Sequence, residues 1–381
     1  MAKMKQHLFC ILQYTSLCIG LFQTSNAAAT LLTPLPYGHA ALLYDAFPPN
    51  GPDADPSSNP VTNNPGFWIS YIQTFNTGAT GTNAISRLYV YGTSLDTSGS
   101  STTANYNASF AITSVAAYRT QFPNTTILAI VDGTPGQLKN EDAATLQLAK
   151  DLANSLVSQI CADSNVDGIF YDLEPTKFSY KGLFTLYQTT STLLASASCK
   201  DTQHPNGRYM GVYAYVTTGD GSLVKPALGS NGFLAVPLYD VQDSQPPTPT
   251  NLQLFNTSAK SYVGNSDANS SHYKIPYTVI APAAASFGEF EKYGAYADPP
   301  PVLPAPYNFT LISDFSPAIT QVLYMTEVNA NTLKYAKSPY YMGVDYWAWN
   351  YFVSPIPQKN QLLLPSYPDS ATVAYLQKNA F

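Results

Sequence analysis

The chain has 381 residues and a formal net charge of −6, and only 11% of its residues are charged, against the ~25% usual in globular proteins. That balance, with no basic cluster anywhere, argues against a nucleic-acid partner. Tyr and Pro are abundant, at 29 and 30 residues, and with Ser, Thr and Asn they suit a neutral polar ligand.

The chain opens on a segment with the marks of a signal peptide. Lys3 and Lys5 give a basic start, Leu8 to Phe22 is apolar, and Ser25-Asn26-Ala27 offers small residues for cleavage. No other long apolar run follows, so no membrane span is expected. The expectation is a secreted protein, extracellular or periplasmic, with 1–27 removed and 28–381 forming a single domain. Two cysteines remain in that domain, Cys161 and Cys199, and an oxidising compartment makes a disulfide between them the default.

Residues 28–65 are rich in Pro, Asn and Asp, with one apolar patch at Ala40–Tyr44. That patch and Phe67–Ile72 are both candidates for the first strand. Ile85–Gly92 reads as a strand, 110–122 as a helix ended by Pro123-Asn124, and Thr126–Gly133 as a strand buried on both faces. Asn140-Glu141-Asp142 opens a helix running to about Ile160. The strand Val166–Glu174 follows, then a helix over 180–198 and a strand over 209–216. Ser222–Leu228 reads as a short connection, 233–240 as a strand, and 243–273 as a long polar insertion. Tyr277–Pro282 is a further strand, 295–310 a second insertion, 316–324 helix-like, 341–350 the last strand and 369–379 a closing helix. Repeated strand–helix units with buried strands imply a parallel sheet. About eight of them predict an α/β fold, a (β/α)8 TIM barrel with long loop insertions. A doubly wound open sheet is the alternative, weakened for nucleotides because no Gly-rich phosphate loop follows a strand.

The Val166–Pro175 stretch carries two acids near its end. Alternation puts Phe170, Asp172 and Glu174 on one face and Ile169, Tyr171 and Leu173 on the other. Two acids on an apolar strand are either a structural pair or a site. Barrel sites lie at the carboxyl ends of the strands. There stand Asp132, Asp172 and Glu174, then Tyr213 and Tyr215, Tyr239 and Asp240, and Trp347 and Trp349. The bland readings are that Asp132 caps a turn, that Tyr213 and Tyr215 are barrel wall with at most one facing the lumen, and that Trp68 is first-strand core. Asp345 is left out, a solvent-facing position being as open to it as a site one.

The central strand resembles the glycoside hydrolase family 18 signature Asp-Gly-x-Asp-x-Asp-x-Glu, found in chitinases and endo-β-N-acetylglucosaminidases. Asp167, Gly168, Asp172 and Glu174 match, and Phe170 stands where the middle Asp is usual. Ile127–Gly133 is similar to the family's third strand, Leu238-Tyr239-Asp240 to its Met-x-Tyr-Asp without the Met, and Val344–Trp347 to its eighth strand. The resemblance implies a substrate-assisted, retaining glycosidase, an exception to the two-carboxylate rule. Glu174 would be the acid and then the base, and Asp172 would orient the substrate's 2-acetamido group. Tyr239 would bond that group's carbonyl, Asp240 would hold neighbouring hydroxyls, and Trp347 would floor the pocket, with Tyr213 and Trp349 as further sugar contacts. An acid beside an anionic neighbour keeps its proton more readily, as Glu174's role requires. The implied partner is an oligo- or polysaccharide containing N-acetylglucosamine, bound by a monomer needing no metal or cofactor. Two alternatives stand beside this one: a weak or inactive chitinase-like sugar binder, because Phe170 removes a proton-sharing partner of Asp172, and a barrel hydrolase acting on another glycan such as peptidoglycan.

Overall fold

The computed structural model describes residues 35–43, 65–95, 97, 101–107, 115–215, 221–238, 252–282, 321–347 and 370–379. The signal segment 1–27, the 295–310 insertion, Tyr239, Asp240 and Trp349 lie outside them. Eight strands follow in chain order: β1 (His39–Leu43), β2 (Ile85–Leu95), β3 (Thr126–Gly133), β4 (Gly168–Leu173), β5 (Tyr209–Tyr213), β6 (Gly232–Pro237), β7 (Tyr277–Pro282) and β8 (Tyr341–Trp347). Each runs parallel to the next, and β1 also pairs with β8, closing the ring. The intervening helices are α1 (Pro65–Gly78), α2 (Val115–Gln121), α3 (Ala143–Ala162), α4 (Lys181–Leu194), α5 (Gly221–Leu228), α6 (Leu252–Ala259), α7 (Asn265–Tyr273) and α8 (Gln321–Tyr335), with α9 (Ser370–Leu376) after β8. This is the expected (β/α)8 barrel. Asp142 caps α3, its carboxylate accepting from the Thr145 N–H at 3.0 Å.

Several local expectations change. Phe67–Ile72 is helix, not the first strand: Trp68, Ile72 and Phe75 recur at helical spacing and are buried, while Ser70, Gln73 and Thr74 face water. Trp68 is therefore a buried residue of α1, and β1 comes from the His39–Leu43 patch. Residues 222–228 belong to the helix α5 rather than a bare connection. The helix expected over 316–324 is found at Gln321–Tyr335. The supposed polar insertion holds α6, a π-helical turn at Lys260–Gly264, and α7. Its buried stripe is Ala259, Val263, Ser266 and Ser270, spaced by three and four. Those side chains are small and half of them are hydroxylic, so hydropathy does not reveal the stripe.

Strand alternation sorts the barrel interior. On β4, Tyr171 points outward, its hydroxyl 2.8 Å from that of Thr190 on α4. Phe170 points inward and stacks on Tyr89 of β2, with ring centroids 4.4 Å apart and planes 14° from parallel. Phe233 of β6 faces the same Tyr89 ring at 6.4 Å. Gly211 of β5, paired with Phe170 and with Phe233, makes the room. A Cβ there would stand 2.6 Å from Phe170 and 2.5 Å from Phe233.

Beside this stack lies a buried ion pair. Arg87 of β2 donates to Asp345 of β8 at 3.0 Å. The Tyr89 hydroxyl donates to the other carboxylate oxygen at 2.9 Å, and the Thr278 hydroxyl donates there too. Burial holds the Asp345 carboxyl above its ordinary range, the Arg87 charge and the Thr278, Tyr89 and Arg87 hydrogen bonds offsetting only part of that rise. Asp345 is thus wholly buried rather than solvent-facing, because it lies two residues before Trp347 and shares its inward face.

The amino ends of the strands are tied by polar groups. Asp167 accepts from Arg119 and from the Ile127 N–H, each at 2.6 Å, and pairs with His204 at 2.9 Å. Arg208 donates to the carbonyls of Ile160, Cys161, Asp163 and Val166 at 2.6–3.0 Å. It thereby satisfies the open end of α3. The expected Cys161–Cys199 disulfide forms beside it, spanning 38 residues. Gly168 carries no Cβ because one would collide with the Tyr209 carbonyl. At the far end of the chain, the Gln377 side-chain amide donates to the Phe75 carbonyl at 2.9 Å, and the Gln377 backbone carbonyl accepts from the Thr80 N–H. That clasp binds the turn after α9 to α1.

One buried base makes the barrel acid-sensitive. His39 accepts the Val344 N–H through Nδ1 at 3.1 Å, joining β1 to β8. Burial and then the Arg87 charge hold its pKa down to about 4. A folded value below the unfolded ~6.5 means stability is intact above pH ~6.5 and is lost as the pH falls towards 4. The loss contributed by this group is about 3 kcal/mol. Urea unfolding of wild type and His39→Asn at pH 7 and pH 4.5 checks this. The variant keeps an acceptor but no titrating ring, so its stability should fall less between the two.

Candidate active site

Because all eight strands run the same way, their carboxyl ends meet at one mouth. Asp172 is the last inward residue of β4, one layer above Phe170, and is only 8% exposed. Glu174 stands just past the strand and is exposed, its N–H bonded to the Gly133 carbonyl at 2.9 Å. The two acids therefore differ in setting, one set in the barrel wall and one at the rim. Thr176 closes the following turn by donating to the Leu173 carbonyl at 2.6 Å.

On β3, Asp132 is the register partner of Asp172. The Ser94 hydroxyl of β2 donates to Asp132, and the Tyr91 hydroxyl donates to Ser94 at 3.0 Å. Burial pushes the Asp132 carboxyl up, and the Ser94 bond opposes it. Asp132 is thus tied to a neighbouring strand. Ser94 reaches it because β2 shifts register between Tyr91 and Thr93, where a Cβ on Gly92 would come within 3.0 Å of β3. A plain period of two would put Ser94 on the opposite face from Tyr91. Gly92 inside the strand is the sole trace of that bulge in the sequence.

Tyr213, next after the Tyr171–Val212 pair, ends β5 beside Asp172 and is buried. Tyr215 lies past the strand, edge-on to Tyr213 at 6.0 Å and 4.7 Å from the Tyr262 ring of the π-helical turn. Both tyrosines are thus packed, with Tyr213 on the inner wall. Trp347 ends β8 on the inner face, opposite Pro282 of β7, and is half-buried. Three strands lie between β4 and β8 either way round the ring, so Trp347 stands across it from Asp172. The structure therefore brings Asp132, Asp172 and Tyr213 side by side on three adjacent strands, with Glu174 above and Trp347 opposite. Tyr239, Asp240 and Trp349 lie outside the described residues. Among the described residues, no helix is long and apolar enough to cross a membrane.

No protein-family model matches the chain. No curated protein matches it. Solved structures do. A glycoside hydrolase family 5 mannosidase from Rhizomucor miehei aligns over 90% of this chain and 92% of its own, with a TM-score of 0.52 and 11% identity. A broad-specificity GH5-4 endoglucanase from Ruminococcus champanellensis aligns over 91% and 99%, with a TM-score of 0.51 and 10% identity. A family 18 N-acetylglucosaminidase from Paenibacillus barengoltzii aligns over 82% and 94%, with a TM-score of 0.45 and 11% identity. The first two share the barrel with this chain, and at such identities the likeness extends to the fold alone.

Proposed function

We propose that the protein is a secreted glycoside hydrolase cleaving β-1,4 bonds beside N-acetylglucosamine, in chitin-type polymers or N-glycan cores, by a substrate-assisted retaining mechanism. One observation carries the reading: Asp172 in the inner wall and Glu174 at the rim, two residues apart at the carboxyl end of β4. Glu174 protonates the glycosidic oxygen as the bond to the anomeric carbon breaks. The acetamido carbonyl oxygen of the sugar forms the new bond to that carbon. Asp172 accepts from the acetamido N–H and holds it in line, and Tyr239 donates to its carbonyl. Glu174, now ionised, takes a proton from the water that opens the intermediate, with net retention. Trp347 offers an indole face to the sugar ring, and Asp240 takes its hydroxyls. Secretion is supported by the basic and apolar leader and by the disulfide.

The test is hydrolysis of chitooligosaccharides and of a high-mannose glycoprotein by wild type and Glu174→Gln. The variant should lose on the order of 10²–10⁴-fold in turnover, the scale of general acid–base catalysis. Equal rates in both proteins overturn the assignment.

A second reading has an observation of its own. Phe170 fills the layer beneath Asp172 with an apolar ring and is wholly buried, which suits a barrel that holds a sugar without cutting it. Tight chitooligosaccharide binding with no turnover from acidic to neutral pH would favour that reading.

A further inference from the structure

Asp132 and Asp172 are register partners on neighbouring parallel strands. Such strands lie ~4.8 Å apart, and in-register side chains point to the same face. The face is the lumen. Phe170, two residues before Asp172, stacks on Tyr89 inside the barrel, and Phe170 is itself paired with Ile130, two residues before Asp132. Two carboxyls held that close, at a half-buried mouth, do not both ionise without mutual repulsion. The layer below gives Asp172 no help, since Phe170 occupies it.

We propose that Asp132 and Asp172 hold one proton between them, so that Asp132 is the positioning residue that sets the charge on Asp172. The role given to Asp172 rests on the function proposed above; the shared proton rests on the barrel register alone. When Asp172 accepts the acetamido N–H, the positive charge developing on that group favours its anionic form, and the proton resides on Asp132. When the sugar leaves, the proton is shared again, and the pair carries one negative charge throughout. The Ser94 hydroxyl, donating to Asp132, makes the ionised form of that residue accessible, whereas burial opposes it. Among the described residues, the other groups around the pair are Tyr91 on β2 behind Ser94, Glu174 at the end of β4, Tyr213 on β5, and Tyr187 of α4, whose hydroxyl burial holds protonated with the Asp172 charge adding to it.

The test is the titration of aspartate carboxyls by NMR on ¹³C-labelled protein, alongside the pH–rate profile on chitooligosaccharides. In wild type, one carboxyl should titrate at least about one pH unit above the ordinary ~3.9, the upper step of a coupled pair. Asp132→Asn should remove that step from the titration and from the rate profile while leaving residual turnover. Ser94→Ala, a milder change that keeps both acids, should move the step upwards. A wild-type protein with no raised carboxyl, or an upper step unchanged in a folded Asp132→Asn or in a folded Asp172→Asn, overturns the pair. If the step is lost in Asp132→Asn and moves down in Asp172→Asn but wild type cleaves nothing, the pair stands and the glycosidase reading falls. If turnover requires Glu174 while Asp132→Asn leaves both profiles alone, the glycosidase reading stands and the pair falls.

Discussion

Phe170→Asp is expected to lower folding stability by about 3–5 kcal/mol, the range for losing a buried aromatic side chain, rather than restore a missing catalytic group. The ring is wholly buried and stacked on Tyr89. Its removal opens a cavity among Tyr89, Phe233 and the Gly211 backbone, and the new carboxylate enters that space without water. Urea unfolding at pH 7 measures the loss. Gly211 supplies an internal check. Gly211→Ala should destabilise wild type, since its Cβ would stand 2.6 Å from Phe170. Part of that cost should vanish in the Phe170→Asp background, where the ring is gone, while the clash with Phe233 remains. A Phe170→Asp protein as stable as wild type would refute the packing role. Gain of turnover in that variant would show that the layer beneath Asp172 limits the chemistry.

Asp345→Ala should cost a comparable amount, about 3–5 kcal/mol, because it leaves a buried guanidinium without its counter-charge. Arg87 keeps its bond to the Gly38 carbonyl at 2.8 Å, but the hydroxyls of Tyr89 and Thr278 lose their acceptor. Arg87→Met alone strands the carboxylate instead and should be similarly costly. Replacing both by apolar residues should recover much of the loss, since a buried ion pair is seldom worth more than good packing in its place. Denaturant midpoints for the two single variants and the double variant read this directly. An additive double variant would mean that the pair is not coupled.

Much of the barrel was legible, for identifiable reasons. β3 and β4 are continuous apolar runs, and α3 announces itself through Asp142 and a Leu-rich stripe. The errors fall where hydropathy loses its meaning. Phe67–Ile72 is apolar enough for either period, and the helix emerges once Phe75 extends the stripe. The Ala259–Ser270 stripe is built from small side chains whose burial depends on close helix approach. Asp345 was set aside by residue type, although strand parity with Trp347 already placed it inside. At the site, the common face of Phe170 and Asp172 followed from the period of two, whereas which of Tyr213 and Tyr215 faces the lumen did not. The Ser94 contact did not, because a bulge at Gly92 breaks that period, and the pairing of Asp132 with Asp172 is a matter of register between strands, which no single segment encodes.

The Gln377 clasp has a bearing on how the chain is made. It joins residues 302 positions apart, and the seam between β1 and β8 spans a similar stretch. On the ribosome, β1 therefore emerges with one edge that has no partner until β8 follows. Its unpaired backbone is meanwhile open to strands of other nascent copies. Any truncation before residue 341 leaves that edge raw for good.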